Sequence, residues 1–196
     1  IKPPKTKHHK YLEEHRVGGF LKELEKSPNL ITKTFLYVVM VTALRSGSLR
    51  NARWSWIDSQ TSTLNIPSEH MKSRNSFGCP LPSQAMDALN KLKEITGGKS
   101  SDYIFIGRHN NPISDATARV ALQKILKDKT TVHGFRTLLN RVVSKMGQFE
   151  IEKIEAQLCH AFTATDIRKT YLGGEDYLDE RRKIVQAYAN WCDKQI

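Results

Sequence analysis

The run ITKTFLYVVMVTALR, residues 31–45, followed by SGSLRNARW, residues 46–54, decides the fold. Between Phe35 and Leu44 the apolar residues leave no polar stripe, and a helix that is apolar nearly all round belongs in a core. A buried central helix is therefore predicted up to Arg45, interrupted by Gly47. SGSLRNARW predicts one more helical turn, with Leu49 and Trp54 inward, and Trp56, Ile57 and Asp58 lead into a turn. Upstream, GGFLKELEKS (18–27) reads as a short amphipathic helix.

Downstream the apolar period changes to two. TSTLNIP (61–67), MKSR (71–74) and SFGCPLP (76–82) are short extended runs between turn formers, which predicts a small antiparallel sheet with Pro67 and Pro80 near its edges. Helical spacing then returns. SQAMDALNKLKEITGG (83–98) sets Ala85, Met86, Leu89, Leu92 and Ile95 on one side, YIFIG (103–107) is a short buried run, and SDATARVALQKILKD (114–128) starts at a Ser114 cap. HGFRTLLNRVVSKMG, EIEKIEAQLCH, TATDIRKTYL and DYLDERRKIVQAYANWCDK complete the chain as helices, the last with Leu178, Val185, Tyr188 and Trp191 near one stripe. The fold class is mainly α with one small antiparallel β-sheet (α+β). Residues 1–16, polar and carrying Pro3 and Pro4, read as a linker or the remnant of an upstream domain, and order is expected from Val17, with 17–196 as one domain.

Of the 196 residues 39% are hydrophobic, and 31 lysines and arginines against 20 acids give a net charge of +11 and a pI near 9.6, so a polyanion is the expected partner. Cys79, Cys159 and Cys192 are widely spaced and odd in number, which argues against a disulfide framework and fits a reducing cytoplasm. No apolar run reaches the roughly 20 residues a bilayer needs.

Several cations occupy structured segments. TVHGFR (131–136) places His133 in the first turn of a helix capped by Thr130 or Thr131, with Arg136 three residues on, so the two could grip a phosphate or could be a surface pair. Arg45 ends the buried helix, either as a phosphate ligand or as a cation that balances the helix dipole. Lys72 stands beside a hairpin bend, His160 ends a helix, and Tyr171 precedes Gly173 and Gly174. His8, His9 and His15 offer a metal site of little weight, since no carboxylate or thiolate supports them.

Taken in order, ALRSGSLRNARWSWID, HMKSRNSFGCPL, HGFR, LCH and RKTYL resemble the catalytic domain of the tyrosine recombinases, and most closely the phage and prophage integrase branch, over roughly Val17 to Trp191. The resemblance implies Arg45, Lys72, His133, Arg136 and His160 as catalytic residues and Tyr171 as nucleophile, with Tyr177 as the runner-up. It implies site-specific DNA cleavage and rejoining through a 3′-phosphotyrosyl link, with no metal and no cofactor. The partners it implies are double-stranded DNA bearing attachment sites, three further copies in a DNA-bound tetramer formed from monomers, and accessory DNA-bending proteins, all in the bacterial cytoplasm and at the nucleoid. Two departures stand out: Ser48 replaces the family's usual glutamate, and the His160–Tyr171 interval is about one residue longer than in common members. The alternatives are a catalytically inactive DNA-binding remnant or regulator with the same fold, and a type IB topoisomerase.

Overall fold

The computed structural model describes residues 10–72, 74–96, 102–159 and 177–196. Its helices are α1 (Val17–Glu25), α2 (Leu30–Thr42), α3 (Ser46–Arg50), α4 (Ser83–Thr96), α5 (Asp115–Leu126), α6 (Gly134–Met146), α7 (Ile151–Gln157) and α8 (Leu178–Asp193). Strands β1 (Ile57–Asp58), β2 (Thr63–Ile66) and β3 (Phe77–Pro80) form an antiparallel sheet in the order β1-β2-β3.

Helix α2 is the central post that its composition demands. Phe35, Leu36, Val38, Val39, Met40 and Val41 are all fully buried, and α4, α5, α6 and α8 pack around it. The Asn29 side chain accepts the Thr32 N–H at 2.9 Å and starts the helix. Its end differs from the expected one. Ala43 takes a left-handed conformation (φ 53°), its N–H bonds to the Val39 carbonyl, and the Thr42 hydroxyl turns back onto the Val38 carbonyl at 2.7 Å. Arg45, expected as the last residue of this helix, is instead extended and stands at the N-terminal end of α3.

The sheet also differs in its members. Met71, Lys72 and Arg74, expected in a strand, lie instead in the β2–β3 connection, and β1 is the short Ile57–Asp58 segment. Asp58 accounts for this, because its carboxylate accepts the N–H groups of Gln60 and Thr61 and the Thr61 hydroxyl, closing the β1–β2 turn. Pairing runs Ile57↔Leu64 on one side of β2 and from Thr63↔Pro80 to Ile66↔Phe77 on the other. Pro80 therefore sits on an edge strand, as expected. In α4, Ala85, Leu89 and Leu92 face inward, whereas Ile95 is 64% exposed.

Residues 10–16, read from the sequence as linker, lie against the helical body. Leu12 is fully buried, Arg16 pairs with Asp128, and Lys145 reaches Glu14 at 2.6 Å. Helix α8 packs on α2, α6, α7 and β3. Ile184, Val185, Tyr188, Ala189 and Cys192 are buried, and Arg182 bonds to Thr63 on β2.

Candidate active site

Two helix ends meet at the foot of α2, and side chains from α3, α6 and α7 tie them together. Arg136 rises from the first turn of α6 and is 4% exposed. Its Nη1 donates to the Ala43 carbonyl at 2.7 Å, and its Nη2 donates to the Leu158 carbonyl just beyond α7. Arg45 donates from Nη2 to the next carbonyl, Cys159, at 3.1 Å. Gln157, fully buried, donates to the Thr42 carbonyl at 2.7 Å. Consecutive carbonyls at the end of α2 and consecutive carbonyls after α7 are thus held by three side chains.

This arrangement concentrates positive charge. Burial first, and then the like charge of Arg45, push the Arg136 guanidinium down to about 10, so it stays charged at neutral pH. Among the described residues its Nε has no hydrogen-bond partner. Arg45 stands at the start of α3 rather than at the end of α2, and its guanidinium reaches across to the Cys159 carbonyl beyond the C-terminal end of α7.

His133 occupies the N-cap position of α6 and is exposed. The expected Thr131 cap is present: its hydroxyl accepts the Gly134 N–H at 3.2 Å. His133 and Arg136 therefore divide the helix start between a surface imidazole and a buried guanidinium. Lys72 is exposed, but the chain before it is pinned. Ser48 donates its hydroxyl to the His70 carbonyl at 2.9 Å, the His70 ring lies 5.0 Å from that of Trp56, and Met71 is 6% exposed.

His160 and Tyr171 lie outside the described residues, as do His8 and His9. Tyr177, the runner-up nucleophile, donates its hydroxyl to Glu152 at 3.2 Å in the first turn of α7. The arginines hold the opposite end of that helix, about 9 Å away along the axis at 1.5 Å per residue. Sequence reading missed Gln157. Its one signal was a polar side chain on the stripe made by Ile154 and Leu158. Among the described residues no group of histidines, cysteines and acids is placed to hold a metal ion, and no helix is long and apolar enough to cross a membrane.

A mainly helical domain thus brings one buried and one half-buried arginine together where α2 and α7 end, an arrangement suited to an anion such as phosphate. The phage integrase family model matches residues 10–171, and the chain belongs to that family. It is 31% identical to the prophage integrase IntZ of Escherichia coli, over 98% of this chain and 47% of that protein. It is 32% identical to the integrase of Enterobacteria phage P4, over 96% of this chain and 46% of that protein. The chain thus spans about half the length of the curated relatives it matches. Its fold matches a lambda integrase tetramer bound to a Holliday junction with a TM-score of 0.65 at 21% identity, covering 92% of this chain and 51% of that one. It matches the XerA recombinase with a TM-score of 0.65 at 18% identity, covering 95% and 66% of the two chains.

Proposed function

We propose that this chain is the catalytic part of a site-specific DNA recombinase that breaks and rejoins DNA strands at prophage attachment sites. The observation that carries the reading is the convergence of Arg45 and Arg136 on the Leu158 and Cys159 carbonyls, in a chain of the phage integrase family. In this reading residues 17–196 are the catalytic domain. Double-stranded DNA is the substrate, the working assembly is a homo-tetramer on DNA, and the reaction takes place in the bacterial cytoplasm without a metal ion.

The chemistry follows from charge. Attack on a phosphodiester builds negative charge on five-coordinate phosphorus, and fixed donors lower that barrier most when they need not reorganise. Arg45 and Arg136, with His133 and His160, supply donors to the non-bridging oxygens. The hydroxyl oxygen of Tyr171 attacks phosphorus, forming a 3′-phosphotyrosyl bond as the P–O5′ bond breaks, and Lys72 delivers a proton to the leaving 5′ oxygen. A 5′ hydroxyl from another strand reverses the attack, so the phosphoryl bond is conserved and no nucleotide is hydrolysed. A tyrosine hydroxyl with an ordinary pKa near 10 must lose its proton to act, and His133 is the acceptor in this reading. The Tyr177 hydroxyl, held on Glu152 at the far end of α7, favours Tyr171 as nucleophile.

Trapping on a nicked suicide substrate tests this reading. The protein should form a covalent adduct at the 3′ end of the cleaved strand, retained by Tyr177→Phe and abolished by Tyr171→Phe. DNA binding without any adduct identifies an inactive DNA-binding member of the fold.

A further inference from the structure

We infer that residues 10–12 form a strap that sets the start of α6, and that Gly134 and Thr131 are positioning residues for His133. The inference rests on the proposed recombinase reading only for what His133 does, not for the strap itself.

The contacts are specific. The Lys10 carbonyl accepts both the Thr131 N–H at 3.1 Å and the Thr131 hydroxyl at 3.3 Å. The same hydroxyl oxygen accepts the Gly134 N–H at 3.2 Å, so a short relay runs from the strap through Thr131 to the first residue of α6. His133 stands inside this relay, between its two α6-side members. Gly134 is where the strap comes closest. A Cβ built there would lie 2.5 Å from the Lys10 carbonyl oxygen and 2.6 Å from the Tyr11 Cα, both backbone atoms that cannot rotate away. The glycine is required for close approach and not for its backbone angles, since it is an ordinary helical residue.

The strap is anchored on its far side. Leu12 is fully buried, the Arg141 guanidinium lies 5.3 Å from the centre of the Tyr11 ring, and Glu14 bonds to Lys145. Arg141 and Lys145 belong to α6 itself, so the strap runs along α6 and turns over its N-terminal end. A helix start has N–H groups without helical partners, and whatever fixes them fixes the direction of the side chains there. A displacement of the chain at Lys10 therefore reaches His133 through three hydrogen bonds and one glycine contact.

The test uses the full chain. Gly134→Ala, which must lift the strap, should slow covalent-adduct formation on the nicked duplex about tenfold while the Kd for uncleaved duplex stays within about twofold. Thr131→Val should slow it about threefold, and Thr131→Ser should restore it. The second readout needs no activity: the ring resonances of His133 should shift, and the amides of Gly134–Arg136 should exchange faster, in Gly134→Ala and Thr131→Val but not in Thr131→Ser. Unchanged ring resonances and exchange in either folded variant overturn the strap. If Gly134→Ala does not fold, the Thr131 pair decides the matter alone. If the wild-type chain makes no adduct, the recombinase reading fails, and the resonances and exchange still judge the strap.

Discussion

Arg136 is held under tension between burial and charge. It is nearly excluded from water, lies beside a second guanidinium, and donates to carbonyl oxygens; burial first, and then the like charge, make its proton held less firmly than usual. A phosphate bound between the two arginines relieves that condition, and a planar fork can serve the carbonyls and the phosphate at once, which an ammonium cannot. Arg136→Lys should therefore bind duplex DNA within a few-fold of wild type but form the covalent adduct at least about a hundredfold more slowly; equal rates would refute the role of the fork. Ser48 is a second such residue. The carboxylate usual at this position in the family is absent, and its hydroxyl instead fixes the chain at His70, two residues before Lys72. Ser48→Ala should lower thermal stability by about 1 kcal/mol. It should also slow cleavage several-fold, with DNA affinity unchanged, because the loss falls on the aim of Lys72. At this scale Arg45 falls at the start of α3 and not at the end of α2, whereas the place of His133 and Arg136 in the first turn of α6 was legible from the Thr131 cap and the apolar spacing. Gln157 and the role of Ser48 were not, because a buried amide and a small hydroxyl show their partners only when distant carbonyls arrive.

Among the elements, α2 was legible throughout its body because its composition admits no exposed face, whereas its end was not. Alanine is a good helix former, so nothing at Ala43 announces a left-handed stop three residues after Met40. β1 was missed for a different reason: two residues cannot display a period, and only the Asp58 turn gives the hairpin away. The α5–α6 connection is the element that links the strap to the site, and it depends on one carboxylate. Burial alone would raise the Asp128 pKa, but bonds from Arg16 and Thr130 outweigh it and bring the carboxyl down to about 2. A folded value below the unfolded one, about 3.9, means that this carboxylate stabilises the fold above about pH 4 and that the contribution is lost as pH falls from about 4 towards 2. Asp128→Asn should accordingly be less stable than wild type at pH 7, with the difference shrinking in that acid window, as read by chemical denaturation at a series of pH values. A difference that stays constant down to pH 2 would show that the carboxylate is not the anchor.

At the scale of the whole molecule, the +11 charge and the docking of α8 set different limits on how the protein works. Charge governs encounter: each phosphate neutralised releases counterions, so duplex affinity should fall steeply with salt, by about 0.9 in log–log slope for every contact made. Binding that ignores ionic strength would deny DNA as the partner. Helix α8 governs integrity. It packs on α6, α7, β3 and α2 of the same chain, and its buried Arg181 guanidinium stacks 4.5 Å from the centre of the Phe77 ring on β3. A stripe of Leu178, Val185, Tyr188 and Trp191 was expected to dock somewhere. The structure broadens it to a full face of Ile184, Val185, Tyr188, Ala189 and Cys192 seated in the core, a set whose larger members contribute about 1.5–3 kcal/mol each. Detaching α8 would expose that face together with the surfaces of α2, α6, α7 and β3 that cover it, so the rest of the domain should not stay folded without it. A chain ending at residue 177 should therefore show no cooperative thermal transition by circular dichroism. A sharp melt within a few degrees of the full chain would mean that α8 is dispensable in cis and free to pack on a neighbouring copy. Any exchange between protomers must otherwise involve the chain outside α8, while α8 keeps β3 and the Lys72 connection in register with the arginine pair.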